Sequence, residues 1–227
     1  MVDMLHYETI ARALRLLCQG AVALSADARA GDEALAVGSS CLFAVGDAVE
    51  LADAAGAVES HTIAGLSALT QVELAGPIGA EFTVAGQARL QLPAEARPQV
   101  RWVAMGRPEA LPVPTRLAFP AVIIEPGAMR QPPAAGTNRS YQQEYSFAVY
   151  WLERIAEGAE ADMGAISRAE GLFDLLMSDP YLGGTCYHSQ VIAFEPAPKA
   201  EEKLRARDLP LRVVRLDLLV RKSALWA

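Results

Sequence analysis

The charge of this chain is concentrated in one segment. Between Gly31 and Leu92 the sequence has eight acidic residues and a single basic residue, Arg89, and it contains no lysine. The remaining residues balance, with 19 acidic and 19 basic side chains, so this segment carries the whole net charge of −7. A stretch with such a distinct charge indicates a separate folding unit.

The borders of the acidic segment are also distinctive. Small residues dominate Ala26–Gly38 at its start, and a Pro-punctuated stretch, Pro93–Pro98, follows it. Both compositions are typical of connections between domains. We therefore expect an inserted acidic domain over 31–96 and a core domain formed by 1–30 together with 97–227.

Short strands with turns between them fill the acidic segment. In AVELAD, for example, Val49 and Leu51 share one face and Glu50 lies on the other, which is the period of a half-buried strand. Five or six strands of this length in about sixty residues predict a small closed β-barrel. The predicted strands are Cys41–Val45, Ala48–Ala52, Val58–Ala64, Gln71–Leu74, Glu81–Val84 and Ala88–Leu92.

The predicted barrel has little that would bind nucleic acid. Such binding uses stacked aromatic rings beside basic residues, and the segment has only Phe43, Phe82 and one arginine. A spacer or a protein-docking barrel is the interpretation that its composition favours.

Outside that segment, helix and strand patterns alternate. Apolar residues from Tyr7 to Ala21 recur with helical spacing, which predicts a helix over about 3–21, and a second helix follows around Met163–Leu176. Two helices against an antiparallel β-sheet predict an α+β core. The predicted strands of this sheet are Val100–Ala104, Phe119–Glu125, Tyr141–Leu152, Cys186–Glu195 and about Leu209–Arg221.

Two irregularities interrupt this sheet pattern. The last strand has Leu211 and Val213 on one face and then apolar residues from Val214 onward on the other, a phase change that predicts a β-bulge. Two connections, Pro126–Ser140 and Pro196–Asp208, are also longer than a turn needs. Long polar loops on a rigid sheet often carry recognition residues.

Residues suited to catalysis or metal binding are sparse. Cys186 and His188 would share a strand face, but two ligands do not complete a zinc site, and a buried cysteine is commonly a small core residue. The pair Glu201-Glu202 fits a solvated surface. We expect no enzyme activity, cofactor or metal.

Composition sets limits on the environment. No run of about eighteen apolar residues occurs, so we expect no membrane span. The acids and arginine of the first residues do not fit a signal peptide. Three widely spaced cysteines, Cys18, Cys41 and Cys186, fit a reducing compartment rather than a disulfide framework.

Several stretches of the core resemble the tail terminator proteins of tailed bacteriophages. The resemblance rests on an N-terminal helix followed by FPAVIIEPG, a long loop, YQQEYSFAVYWL, a helix ending in LLMSDPYLGG, and the late strand LPLRVVRLDLLV. The acidic segment resembles small barrel domains of phage and prophage structural proteins, and it is an addition to the terminator core.

This resemblance implies a structural virion protein. Terminators of this family form a ring, typically a homo-hexamer, that ends the tail tube and joins it to the head connector, with DNA passing through the lumen without specific binding. The implied partners are the tail tube protein and a head-completion or connector protein. The implied location is the virion neck, after assembly in the host cytoplasm. A head-completion or adaptor protein of the neck and a cellular β-barrel binding module remain alternatives.

The two long connections are the predicted protein interface. Their basic residues would set register and association rate with a partner more than affinity. The predicted interface residues are Arg130 and Arg139 in the first connection and Lys199, Lys203, Arg205 and Arg207 in the second.

Overall fold

The computed structural model describes residues 2–97, 100–110, 119–130, 140–155, 159–207 and 209–225. These ranges contain three α-helices and eleven strands in two sheets, which is an α+β fold. No helix in these ranges combines the length and apolar character needed to cross a membrane.

The N-terminal helix, α1 (Val2–Leu17), confirms the first helix prediction apart from its last turn. Ile10, Leu14 and Leu17 are fully or almost fully buried and form the stripe that the helical spacing predicts. The helix ends at Leu17, and after a short turn Gly20, whose φ of +68° favours glycine, leads the chain into the first strand.

A curled antiparallel sheet of six strands follows α1, in the order β1-β6-β3-β4-β5-β2. Beyond the ends of β1 and β2, a bridge between Leu24 and Val37 also connects the two outer strands. The strands are β1 (Ala21–Ala23), β2 (Ala34–Ala36), β3 (Ala48–Ala52), β4 (Val58–Ala68), β5 (Gln71–Leu74) and β6 (Arg89–Gln91).

Two strands predicted in this region are absent from the sheet. Cys41–Val45 forms turns, and Glu81–Val84 contributes only a single bridge, at Phe82. The rings of Phe43 and Phe82 are buried in the sheet's inner core, so their apolar character reflects packing rather than strand formation. Ala26–Gly38 likewise contains β2 and is not merely a connection.

The six-stranded sheet begins and ends at neighbouring points. It starts at Ala21, before the predicted boundary at residue 31, and its core includes Val22. The backbone N–H of Leu92 donates to the carbonyl of Gly20 at 2.9 Å, so the chain leaves beside the point where it enters. Division of the chain into two domains stays a prediction.

The second sheet has five strands in the order β10-β11-β9-β8-β7. It is mixed, which corrects the predicted antiparallel sheet, because β7 and β8 pair in parallel. Parallel neighbours need a long crossover connection, and residues 106–120 supply it. The strands are β7 (Trp102–Met105), β8 (Ala121–Arg130), β9 (Ser140–Arg154), β10 (His188–Pro196) and β11 (Leu211–Leu225).

Both faces of this sheet bury apolar side chains. On β11, Val214 and Leu216 face the core under α1 and α2, whereas Leu211 and Val213 join a second cluster on the opposite face. The pairing of β11 with β9 is continuous, so the predicted bulge in the last strand is wrong. The register shift occurs in β10, between Val191 and Ala193.

Two further helices cover the sheet. Helix α2 (Ala159–Ser178) packs Ala169, Leu172 and Leu176 on the main core, although Met163, predicted in the same stripe, is 68% exposed. The opposite face is partly covered by α3 (Pro198–Arg205), which lies where the sequence predicted a charged loop. Leu204 of α3 packs into the second cluster, and Ala200 of the same helix packs against it.

Candidate protein interfaces

Helix α3 is fastened to a short 3-10 helix, Pro108–Ala110, by two of the predicted interface residues. Lys203 Nζ donates to Glu109 Oε1 at 2.9 Å, and Arg207 Nη1 donates to the Glu109 carbonyl at 2.6 Å. The bond from Lys203 lowers the pKa of the Glu109 carboxyl. These two basic side chains therefore hold α3 and the short 3-10 helix together.

The other predicted interface residues are separate from this contact. Lys199 and Arg205 are exposed on α3. Arg130 is exposed at the end of β8, which continues past the predicted loop start at Pro126 and pairs Arg130 with Glu144. Arg139 lies outside the described residues. The structure thus brings four of the six predicted residues together on α3 and its flank, with Arg130 on a different element.

Glu201 anchors α3, which corrects the prediction of a solvated residue at this position. Its carboxylate accepts bonds from Arg212 Nη1 at 3.0 and 3.2 Å and from the Val213 backbone N–H at 2.9 Å. Only its neighbour Glu202 is exposed. Sequence alone gives these two glutamates the same environment, because their difference depends on which side of α3 meets β11.

Beyond α3, the outer face of the five-stranded sheet carries a ladder of charges. Tyr150 Oη donates to Glu125 Oε2 at 3.0 Å, and Arg107 pairs with the other oxygen of Glu125 at 3.1 Å. On the next strand, Arg215 Nε donates to Asp217 Oδ1 at 2.8 Å. Burial, and then the bond to Glu125, raise the pKa of Tyr150 to about 12. The exposed part of this face is polar and ordered by its own bonds, and Tyr150 is buried in the same cluster as Leu204 of α3.

The edge strand β10 carries exposed apolar side chains. Ile192, at the register shift, is 57% exposed, and Met177 of α2 is 41% exposed. Met177 lies against the same strand, where its Sδ accepts the Val191 N–H at 3.4 Å. The backbone N–H of Ser189 donates to the Pro180 carbonyl at 2.7 Å, so part of this edge is bonded within the chain. We call Met177, Ile192 and the outer edge of β10 the edge strip. Exposed apolar groups along an edge strand are typical of protein contact sites.

The two sheets are connected by contacts of Asp179 with Ser39 and of Gly183 with Gly38, which we call the joint. Asp179, fully buried after α2, accepts bonds from Ser39 Oγ at 3.0 Å, Tyr181 N at 3.1 Å and Gly183 N at 2.7 Å. Beside it, the backbones of Gly38 and Gly183 are in contact, and a Cβ added to Gly38 would collide with the Gly183 carbonyl oxygen.

An apolar cleft of about 260 Å³ opens next to the joint. Leu16 and Leu17 of α1 and Val84 of the sheet line it, with Arg12 and Arg89 also on its wall. Gln87, another lining residue, has a φ of +57°, a backbone conformation rare for residues other than glycine.

Arg89 also borders a second, polar cleft of about 330 Å³. Arg97 and Arg101 enter this cleft from the segment after β6, and Gln19 and Gln91 complete its polar wall. We call it the arginine cleft. Sequence reasoning missed it because residues 89, 97 and 101 follow no period and meet only through the path of the chain after β6.

The cysteine and histidine weighed as metal ligands have other partners. Cys186 Sγ lies 3.6 Å from the Pro180 carbonyl, and His188 Nε2 lies 3.3 Å from Gln190 Oε1. Burial raises the pKa of the Cys186 thiol to about 12, which disfavours the thiolate that binds metals. Within the described part of the chain, no group of three potential ligands converges.

Comparison with known proteins adds no relative. No family model matches the chain, and a search of curated proteins finds no significant match.

Proposed function

We propose that this chain is a structural protein of a phage neck, which closes into a ring that ends the tail tube and joins it to the head connector. The edge strip is the observation that carries this proposal. A ring forms when one surface of each copy binds a different surface of the next copy around an axis. An edge strand with exposed Ile192 and Met177 is a surface that gains from being covered.

The charged outer face supports a second contact, with the proteins above and below the ring. Its ion pairs hold side chains such as Arg215 and Glu125 in fixed positions, so a partner meets a pre-organised pattern of charge. Exposed Lys199 and Arg205 of α3 border this face. The tail tube protein and the connector protein are the proposed partners.

The six-stranded sheet serves in this proposal as a small barrel inserted into the core. The bridge between Leu24 and Val37 supports closure, because it adds a contact between the two outer strands. Its acidic surface suits a ring through which DNA passes, since carboxylates repel phosphates. Assembly in the host cytoplasm and a final position in the virion follow from the same role.

Native mass spectrometry and negative-stain images of the purified protein test the proposal. We expect a closed ring, a hexamer by the resemblance, at high protein concentration. Replacement of Ile192 by Asp should abolish the ring and leave the melting temperature nearly unchanged. The matched control is Val58→Asp, which changes a residue of similar exposure, 55%, on the other sheet. A monomeric wild type at all concentrations contradicts the proposal.

The apolar cleft favours one alternative, a binding module for a small ligand. Its wall joins Leu16 and Val84 with Arg12, as an amphipathic anion would require. In that case a monomer would bind such a ligand, for example a medium-chain fatty acid, and Leu16→Trp would block binding. A ring without such binding supports the neck protein instead.

A further inference from the structure

The arginine cleft concentrates positive charge on an acidic molecule. Three guanidinium groups, from Arg89, Arg97 and Arg101, line one opening of about 330 Å³. The chain as a whole has a net charge of −7, and Arg89 is the one basic residue of the acidic segment. Like charges brought together at a surface without matching acids are typical of a site for an anionic partner.

Internal contacts neutralise only part of this charge. Glu50 Oε2 accepts bonds from Arg97 at 3.3 Å and Gln91 at 2.8 Å. Arg89 donates its Nε to the neutral Gln91 Oε1 at 3.0 Å, and the side chain of Arg101 is exposed with no bond to a described residue. Two guanidinium groups therefore remain without an acidic partner inside the described chain.

Unpaired carboxylates lie on the other side of the six-stranded sheet. Glu73 of β5 and Glu33, just before β2, are exposed, and neither carboxylate has a bond or ion pair among the described residues. The two strands are neighbours, since Ala34 pairs with Glu73 and the Leu74 N–H donates to the Glu33 carbonyl. We call Glu33 and Glu73 the acidic edge.

The cleft and the acidic edge are placed so that one copy can use both at once. Arg89 belongs to β6 and Glu73 to β5, and the two strands β3 and β4 separate them in the sheet. A contact between two different surfaces of the same chain is heterologous, and its repetition generates a ring when the rotation closes.

We propose that the arginine cleft of one copy binds the acidic edge of the next copy. The occupant of the cleft is thus a second copy of this chain, whose Glu33 and Glu73 carboxylates pair with Arg89 and Arg101. This inference rests on the proposed function, because it identifies a ring contact made by the inserted sheet in addition to that of the edge strip.

Reversal of each charge pair gives a direct test in the full-length protein. Variant X carries Arg89→Glu and Arg101→Glu, and variant Y carries Glu33→Arg and Glu73→Arg. Each variant alone places like charges at the contact, so we expect association to weaken about a hundredfold. An equimolar mixture restores opposite charges at both kinds of contact, and we expect an alternating ring with an even number of copies.

Native mass spectrometry at low ionic strength measures these species, with melting curves to show that each variant is folded. The control is Arg15→Glu with Arg168→Glu, which makes the same charge change as variant X at exposed positions of α1 and α2 and should leave the ring intact. If the wild type forms rings and folded X or Y does so equally well, the proposed contact is wrong and the ring proposal stands. Failure of the folded X and Y mixture to assemble also contradicts the contact. A monomeric wild type contradicts both proposals.

Discussion

The two sheets bury their apolar residues in different ways. The six-stranded sheet curls around a single inner core, with charged side chains such as Glu50 and Glu73 on its outer side. The five-stranded sheet is covered on one face by α1 and α2 and, at one end, on the other face by α3. The first sheet therefore shows clear alternation in its sequence, whereas β11 has apolar residues on both faces and reads as an irregular strand.

The two sheets also differ in what they need from the rest of the chain in order to fold. The six-stranded sheet curls around one inner core, and its chain enters at Gly20 and leaves at Leu92, which are hydrogen-bonded to each other. The five-stranded sheet needs helices from distant parts of the sequence to cover it. We expect the first unit to be removable and the second to depend on its helices.

Excision of the six-stranded sheet should give the largest effects, and they should depend on the boundaries. Removal of residues 21–91, with Gly20 and Leu92 joined through two glycines, should leave a cooperative melt at a lower temperature. Removal of 31–96, the boundaries predicted from sequence, leaves Val22 exposed without its core and should cause aggregation. Circular dichroism and light scattering of both variants measure the difference.

Equal behaviour of the two excision variants would contradict this distinction. If both lose the cooperative transition, the five-stranded sheet depends on its neighbour for folding. If both keep the cooperative transition, residues 21–30 do not need the inner core of the six-stranded sheet in order to remain folded on the rest of the chain.

Loss of the contacts at the joint should have the second-largest effect on stability. Replacement of Asp179 by Ala leaves the Ser39 hydroxyl and two backbone N–H groups without their acceptor in a buried site. We expect a loss of about 4 kcal/mol in the free energy of unfolding. Asp174→Ala, on the exposed side of the same helix, is the matched control and should change it by less than about 0.5 kcal/mol. Urea denaturation measures both, and similar values for the two variants would show that the joint adds no stability.

The anchor of α3 should have a smaller effect. Glu201→Ala removes the acceptor of the Arg212 and Val213 bonds, and we expect a loss of about 2 kcal/mol, since the pair is only partly buried. Its neighbour Glu202 is exposed, so Glu202→Ala should be nearly neutral. Hydrogen exchange should show faster exchange in α3 for the first variant alone, and equal exchange in both would rule out the anchor.

The smallest perturbation of the structure is thiol labelling. The rate at which each cysteine is labelled compares the burial of the two regions. Burial raises the pKa values of Cys18 and Cys186 to about 12, so both remain protonated at pH 8. Cys41, which is partly exposed near the joint, should react first with iodoacetamide. Peptide mass spectrometry determines the order in which the cysteines are labelled. Early labelling of Cys18 would contradict its burial at the end of α1.

Sequence patterns predicted the elements that have a clean period. Helix α1 follows from its apolar stripe, and Ala48–Ala52 and Gln71–Leu74 coincide with β3 and β5 because an outward glutamate marks each alternation. The three-residue strands β1 and β2 are too short to show a period, so no pattern could predict them.

Other features depend on contacts that no local pattern encodes. Helix α3 has few apolar residues, and only its Leu204 and Glu201 are buried, so the sequence shows no stripe. The candidate interfaces have the same origin. Arg89 and Arg101 become neighbours through the fold, and Lys203, a predicted interface residue, is bonded to Glu109 on an exposed surface.

The glycine contact at the joint has a mechanical consequence. Gly38 and Gly183 touch through their backbones, and main-chain atoms have no alternative rotamers through which the two sheets could settle into a new angle. A small rotation about this contact would displace the strands farthest from it more than the strands beside it. In an assembly of many copies, this backbone contact would thus hold the two sheets of every copy at the same angle.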